Sequence, residues 1–377
     1  MRVNRFFLRL LAVSLAACVP ASAQLSPAEP DPLARIRDAA KTNVQVCSAT
    51  GETLCEQVAP KIIANAQSES PLVPNLRRLM EILKQQTKGT GEEAPGVTWA
   101  MAALRAAGVE VHAEKYLVAV KHTKEGQQQE KVVVAEIVVA EIRGREKPDG
   151  WVLLGADLDP SDSGSTGVDE ACNAALVVEA ARDIQLTGVR PRRSIRFVLF
   201  GGESQGMTGP WAYVKGHRDE LDHASAAILF EASANRVNGF VLNGRRDIEP
   251  GIREALKPIE SMGVNHLSFD TPFDTASLDF LMEGIPTVIA AGANTLNLEV
   301  GGNGSNSLDK VNLEELKRNT AIAAVAAFGV AERAEPPGLR QSRTEIESLL
   351  KASGLDDEMK IADIWPLWES GRRGRLP

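Results

Sequence analysis

The chain has 377 residues, of which 24% are charged and 44% hydrophobic, and its formal net charge at pH 7 is -8. This length can bury a large core, either as one α/β domain with insertions or as two domains. The net negative charge gives no reason to expect nucleic acid or an anionic membrane surface as a partner.

Residues 1–23 have the features of an export signal. Arginines within the first nine residues precede an apolar run, Leu10–Ala17, and the small residues at 21–23 match a cleavage site. The apolar run is too short to span a bilayer as a mature helix. Residues 15–18 also match the bacterial lipobox, so cleavage after Ala23 and lipidation of Cys18 both stay open. Both alternatives predict an exported protein, periplasmic or secreted, without a transmembrane segment; the second adds a lipid anchor.

The chain contains four cysteines, and Cys18 belongs to the signal. Cys47 and Cys55 are close together in a polar stretch, and in an exported protein we expect them to form a disulfide. A metal site is the less favoured alternative there, because no histidine is nearby. Cys172 has apolar neighbours and is predicted to be a free thiol in the core.

The pattern between residues 75 and 142 predicts two helices and a hairpin. Asn75 is a candidate cap for the first helix. The second helix is predicted over Trp99–Ala107 and ends at Gly108. Val109–Val120 and Val132–Ile142 alternate as strands around a polar turn, which predicts a β-hairpin.

From residue 150 onward, short apolar runs alternate with longer helical patterns. Strands are predicted at 151–156, 194–200, 226–230 and 287–291. Helices are predicted at 173–186, 251–262, 276–283 and 313–331. Such alternation indicates an α/β fold with three layers, in which helices flank a mixed, mostly parallel sheet. Nearly every residue of Ile195–Phe200 is apolar, which is typical of a central strand that is covered on both faces.

The tail beyond Pro336 is predicted to hold a helix over 341–352, followed by Trp365 and Trp368. Two interpretations stay open for these tryptophans: they dock onto the domain, or they bind a partner. The predicted organisation is therefore a signal peptide, an N-terminal lead-in, a domain and a tail, over residues 1–23, 24–74, 75–335 and 336–377.

Several carboxylates follow predicted strands or precede a predicted helix. In an open α/β sheet such loops meet beyond the carboxyl ends of the strands, where sites form. Carboxylates that gather at one cleft need a cation or raised pKa values. The residues concerned are Asp157, Asp159, Asp169, Glu170, Glu203 and Glu231.

The order of motifs resembles the two-zinc exopeptidase family of the leucyl aminopeptidase and plasma glutamate carboxypeptidase type. That family also contains non-catalytic relatives, the transferrin receptor and nicastrin. The matching segments, in chain order, are Gly188–Phe200, Gln205-Gly206, Gly209 with Tyr213-Val214, Gly284-Ile285-Pro286 and Leu308–Asn312. The resemblance implies the zinc exopeptidase fold, which is of the phosphorylase/hydrolase type.

The resemblance implies an altered metal site. Family members begin the site with His-x-Asp, whereas this chain has Asp157 in place of the histidine and keeps the orienting aspartate as Asp159. Asp169 matches the aspartate that bridges the two metal ions, and Glu170 follows it in place of Asp or Asn. Residues 275–277 stand where the family has Ser-Asp-His near the substrate pocket.

The later ligand positions also differ from the family pattern. Glu203 matches the general base, but the next position, a glutamate ligand in the family, is Ser204. The following aspartate ligand falls at Ser233 or, after a two-residue shift, at Glu231. The last histidine ligand falls at Gly302.

These replacements predict that zinc does not bind tightly and that no cofactor is needed. Without a zinc-bound water, a surviving base has little to activate. The resemblance therefore favours a non-catalytic scaffold that binds a peptide or protein. The alternative is an active metallo-aminopeptidase or hydrolase with an oxygen-rich site at Asp157, Asp169 and Glu231, which suits calcium, magnesium or manganese. The oligomeric state is not predicted.

Overall fold

The computed structural model of the protein describes residues 53–85, 95–124, 127–159, 168–202, 207–231, 235–273, 275–292 and 308–376. From Thr53 onward the chain forms one compact unit. Residues 1–52, which include the predicted signal peptide, Cys18 and Cys47, lie outside the described residues.

The described strands form one mixed sheet in the order β1-β2-β4-β3-β5-β8-β6-β7. They are β1 Glu110–Lys124, β2 Gln127–Ile142, β3 Lys147–Asp157, β4 Arg193–Phe200, β5 Ala224–Leu229, β6 Val237–Val241, β7 His266–Ser268 and β8 Thr287–Gly292. The central strands β4, β3, β5 and β8 are parallel, as are β6 and β7. The β1–β2, β2–β4 and β6–β8 pairs are antiparallel. The predicted mixed, mostly parallel sheet and its hairpin are confirmed.

Helices cover both faces of this sheet. They are α1 Leu54–Gln67, α2 Leu72–Gln85, α3 Pro95–Ala106, α4 Val168–Leu186, α5 Thr208–Gly216, α6 Glu249–Leu256, α7 Ser277–Met282, α8 Leu313–Glu332, α9 Arg343–Ser353, α10 Leu355–Ile361 and α11 Trp365–Glu369. Within the described part of the chain, no helix is both long and apolar enough to cross a bilayer.

Alternate side chains of the central strands enter different core layers. Leu154 and Phe197 pack with α1 to α4 and α8, whereas Leu153 and Val198 pack with α5 and α7 on the opposite face. Because a strand points successive side chains to opposite faces, a strand covered on both sides is apolar at nearly every position. This is the physical basis of the apolar runs in β3 and β4. The exception in β4, Arg196, forms ion pairs with Glu141 and Glu220.

The start of one helix differs from the sequence prediction. Helix α1, within the predicted lead-in, begins with a reciprocal capping box between Thr53 and Glu56. Helix α2 begins at Leu72, so the prediction that Asn75 caps it is wrong. The Leu72 N–H donates instead to the hydroxyl of Ser70, at 3.2 Å.

Cys55 lies on the buried face of α1. Its predicted disulfide partner, Cys47, lies outside the described residues, so the disulfide stays a prediction. The Cys55 side chain faces α8, where the sulfur would lie 3.3 Å from a Cβ added at Gly329. Burial, with the charges of Glu332 and Glu56, raises the pKa of Cys55 to about 12. Cys172 is the predicted buried free thiol.

The C-terminal segment packs against α7. The predicted helix is α9, and Trp368 is buried together with Leu278, Leu281 and Met282 of α7. The guanidinium of Arg343 lies 3.9 Å above the Trp368 ring. Within the chain, the tail tryptophans are therefore docked onto the domain, as the first of the two interpretations predicts.

Candidate functional site

An acidic cluster lies at the carboxyl end of β3. Asp157 is the last residue of that strand and is buried. Burial, followed by the charges of Glu231, Asp159 and Glu170, raises its pKa well above the usual value. Four of the carboxylates singled out in the sequence are therefore close enough to interact, because parallel strands bring their carboxyl ends to one edge.

Asp157 is the most constrained member of this cluster. Its Oδ1 atom is buried and accepts no hydrogen bond from any residue that the structure describes. A carboxylate desolvated beside other negative charges favours its neutral form. Asp157 therefore holds a proton to a higher pH than an ordinary aspartate, and a bound cation would compete with that proton.

Asp169 lies in the first turn of α4, beside Glu170. Burial and the charge of Glu170 raise the pKa of Asp169. The same helix carries Cys172, whose pKa is raised to about 12 by burial and by these two carboxylates. A thiol that stays protonated is neither a metal ligand nor a nucleophile, so the carboxylates are the donors on this helix.

Asp159 is held by the turn that follows β4. The Gly202 N–H donates to both of its carboxylate oxygens, at 2.9 and 3.0 Å. Gly202 has a φ of 97°, and a Cβ at this position would lie 2.4 Å from Oγ1 of Thr208. Only glycine satisfies both conditions, so this turn fixes the orienting aspartate and the residue before Glu203.

The remaining candidate site residues lie in segments that the structure does not describe. Ser204, Ser233 and Gly302 lie outside the described residues, as does Glu203. Their roles as general base and as replaced ligands stay predictions.

The five histidines of the chain are all remote from this cluster in the topology. His112 and His122 are on β1, at one edge of the sheet, and His266 is on β7, at the other. His217 and His223 precede β5 and so lie at its amino end, whereas the cluster lies at the carboxyl ends. Only oxygen donors are therefore present among the described residues of the cluster.

This donor set does not fit the two-zinc centre that the family resemblance implies. Zinc in proteins favours imidazole and thiolate together with carboxylate, whereas all-oxygen sets suit calcium, magnesium or manganese. No group of three or more His, Cys, Asp or Glu side chains in the described ranges is arranged to hold a metal ion.

A buried polar group lies at the start of α7, in the segment for which the family resemblance predicts a place near the substrate pocket. The Asn243 side-chain amide donates to Oγ of Ser277 at 2.9 Å, and the hydroxyls of Thr275 and Ser277 are 2.5 Å apart. All three residues are buried. Sequence analysis missed Asn243; its Asn243-Gly244 dipeptide, with both residues at positive φ, was the available turn signal.

Comparisons with known proteins agree with the motifs. The model of Peptidase family M28 matches residues 137–327, about half of the chain. Carboxypeptidase Q from Xenopus laevis is 26% identical over 148 residues, 39% of this chain and 31% of that protein. Carboxypeptidase Q from Homo sapiens is 27% identical over 129 residues, 34% of this chain and 27% of that protein. This chain thus spans less than a third of the length of these curated relatives.

Solved structures share the fold over a larger part of the chain. A Peptidase M28 precursor from Shewanella amazonensis superposes with a TM-score of 0.65 at 18% identity, covering 77% of this chain and 99% of that one. A zinc aminopeptidase from Bacillus subtilis gives a TM-score of 0.55 at 13% identity, covering 73% and 99%. The predicted fold is confirmed, and the matched segment contains β3, β4, β5, β8 and most of α8. The chain belongs to peptidase family M28.

Proposed function

We propose that this chain is an exported M28 domain that binds a peptide or protein and does not hydrolyse it through a two-zinc centre. The proposal rests mainly on the burial and the raised pKa of Asp157 at the end of β3. A buried carboxyl that favours its neutral form stands where the family resemblance places an imidazole ligand. Export rests on the signal features of residues 1–23.

A second observation supports a binding role. One part of the acidic cluster is held in place although its ligand pattern is altered, because the Gly202 N–H donates to both carboxylate oxygens of Asp159. A polar group fixed in this way can orient a bound chain without any metal. Peptides are the ligand class because the M28 family is a peptidase family.

The competing function is a hydrolase with an oxygen-rich cation site. Oδ1 of Asp157 favours it, because a buried acceptor without a described donor is suited to a cation. The carboxylates of Asp169 and Glu231 would complete the set with Asp157. A hard divalent cation would polarise a carbonyl there, and Glu203 is the candidate base.

Elemental analysis of the purified mature protein tests the proposal, combined with aminopeptidase assays in zinc, manganese or calcium. We expect less than one zinc per chain, no chelator-sensitive hydrolysis, and retention on an array of peptides with free amino termini. Two zinc ions per chain with hydrolysis that stops on chelation would overturn the proposal. Hydrolysis that requires manganese or calcium and is lost in Asp157→Asn, but kept in the exposed Asp149→Asn control, would establish the competing function.

A further inference from the structure

The β1–β2 hairpin carries an exposed apolar patch at the edge of the sheet. Three large apolar side chains of the hairpin are exposed: Leu117 by 78%, Val132 by 62% and Val134 by 43%. Leu117 is paired with Val134, and the exposed Ala119 with Val132, so the four residues form one contiguous surface. We call these four residues the edge patch.

The hairpin extends beyond the rest of the sheet. β2 pairs with β4 only over Ile137–Ile142, whereas its pairing with β1 continues to Gln127. One face of this ribbon is covered, since Val118 and Val133 pack in the same core layer as Trp211 and Tyr213 of α5. The other face carries the edge patch, and a two-stranded ribbon left open on one side is marginally stable in water.

β1 is an edge strand among the described residues, and its open side exposes backbone groups. The Gly201 N–H donates to the carbonyl of Glu136, so the backbone of Glu136 faces β4. Its cross-strand partner Lys115 therefore faces outward, and so does every second residue of β1, including Leu117. The outward N–H and C=O of Leu117 are a template for another strand.

The sequence of β1 is suited to antiparallel pairing with β1 of a second copy of the chain. Leu117 is the midpoint of Glu110–Lys124, so an antiparallel pair centred there places Leu117 opposite Leu117 of the second copy. Glu110 then faces Lys124 at both ends of the pair, and no two like charges face each other. One of the two neighbouring registers, with Leu117 opposite Ala119, instead places Lys115 opposite Lys121.

We propose that β1 pairs with β1 of a second copy across a two-fold axis at Leu117, which joins the two sheets and merges the two edge patches. A two-fold contact uses the same surface on both copies, so the one self-complementary strand is sufficient. The contact requires neither metal nor peptide, and it is independent of the proposed function.

Sedimentation equilibrium of the mature protein at micromolar concentration tests the pairing. We expect a dimer, and Leu117→Lys should raise its dissociation constant about a hundredfold, because two lysines would then face each other at the axis. Leu339→Lys is the matched control, since Leu339 is 81% exposed on a different surface. Far-UV circular dichroism and thermal unfolding verify that both variants fold.

Single cysteines test the register. In the proposed pair the Cα atoms of two Leu117→Cys residues are about 5.5 Å apart, within disulfide range, so mild oxidation should link the two chains. Lys115→Cys should not link to itself, but mixed with Ala119→Cys it should form a linked heterodimer. The wild-type protein, with its native cysteines, is the background control.

The proposal is overturned by a wild-type protein that stays monomeric, by a dimer that Leu117→Lys leaves intact, or by Lys115→Cys linking to itself as readily as Leu117→Cys. A monomer whose open β1 edge binds extended peptides would be such an overturning result.

Discussion

Arg373 and Asp279 form a buried ion pair that fastens the C-terminal segment to α7. Nε and one terminal nitrogen of Arg373 donate to the two carboxylate oxygens of Asp279, at 2.7 and 2.8 Å. The Arg373 guanidinium also lies 5.0 Å from the Trp211 ring. The pair thus links the C-terminal segment to both α7 and α5.

Arg373→Met should destabilise the protein by about 3–5 kcal/mol, because Asp279 would be left buried without its countercharge. Urea unfolding followed by tryptophan fluorescence measures the change. Arg253→Met removes an exposed pair with Glu249 and should cost no more than about 0.5 kcal/mol. Equal effects of the two substitutions would contradict the structural role of Arg373.

Gly202→Ala should destabilise the turn after β4 by about 2 kcal/mol or more, since φ is positive and Oγ1 of Thr208 occupies the space of a Cβ. Gly188→Ala is the matched control, because Gly188 also has a positive φ but nothing lies within 4 Å of its Cβ position. Thermal unfolding compares the two. A larger loss for Gly188→Ala would mean that contact with Thr208 does not constrain this turn.

Asp183 is a source of pH-dependent stability. Burial, with the charge of Glu179, raises its pKa from the usual 3.8 to about 8, although Arg182 opposes the shift. The unfolded carboxyl loses its proton near pH 4 and the folded one near pH 8, so stability falls over this interval and is constant above it. Asp183→Asn should remove that loss.

The free energy of unfolding at pH 5 and pH 9 measures this effect. We expect the wild-type protein to lose about 2–5 kcal/mol more than Asp183→Asn between these pH values. The exposed Asp149→Asn is the control for the same chemical change. Parallel pH profiles for the wild type and Asp183→Asn would contradict the raised pKa.

Restoring the family ligands tests the alignment of the site. The triple variant Asp157→His, Ser204→Glu and Gly302→His should bind zinc more tightly than the wild type. Partners that only orient a ligand are worth about 10- to 100-fold in metal affinity, so direct ligands should contribute at least as much. Isothermal titration with zinc measures the change, and Asp149→His in place of Asp157→His is the control. Unchanged affinity would show that at least one ligand position is misaligned.

The central strands were predictable because their signal is local. β3 and β4 are apolar runs of the right length, and their observed ends differ from the predicted ones by a few residues. By contrast, β6 was missed, because Asn238 and Gly239 weaken the strand pattern in a five-residue segment. α5 was missed because Gly209 and Pro210 fall within its first turn.

The residues of the site could be predicted from the sequence, but the interactions between their charges could not. The motif order identified Asp157, Asp159 and Asp169, since each follows a strand or starts a helix. The raised pKa of Asp157 comes first from burial and then from the charge of Glu231, which is brought near by the parallel pairing of β3 and β5. The pairing of Asp279 with Arg373, 94 residues later, leaves no local trace in the sequence.

The docking of residues 339–376 on α7 also orders events during synthesis. A chain that has emerged only as far as residue 334 already contains all eight described strands, yet the apolar side of α7 is uncovered and Asp279 has no arginine. Closure of the fold must wait until Trp368 and Arg373 have left the ribosome. Until then, Leu278, Leu281 and Met282 lack the C-terminal side chains that cover them, and exposed apolar surface of this kind makes an incomplete chain prone to aggregation.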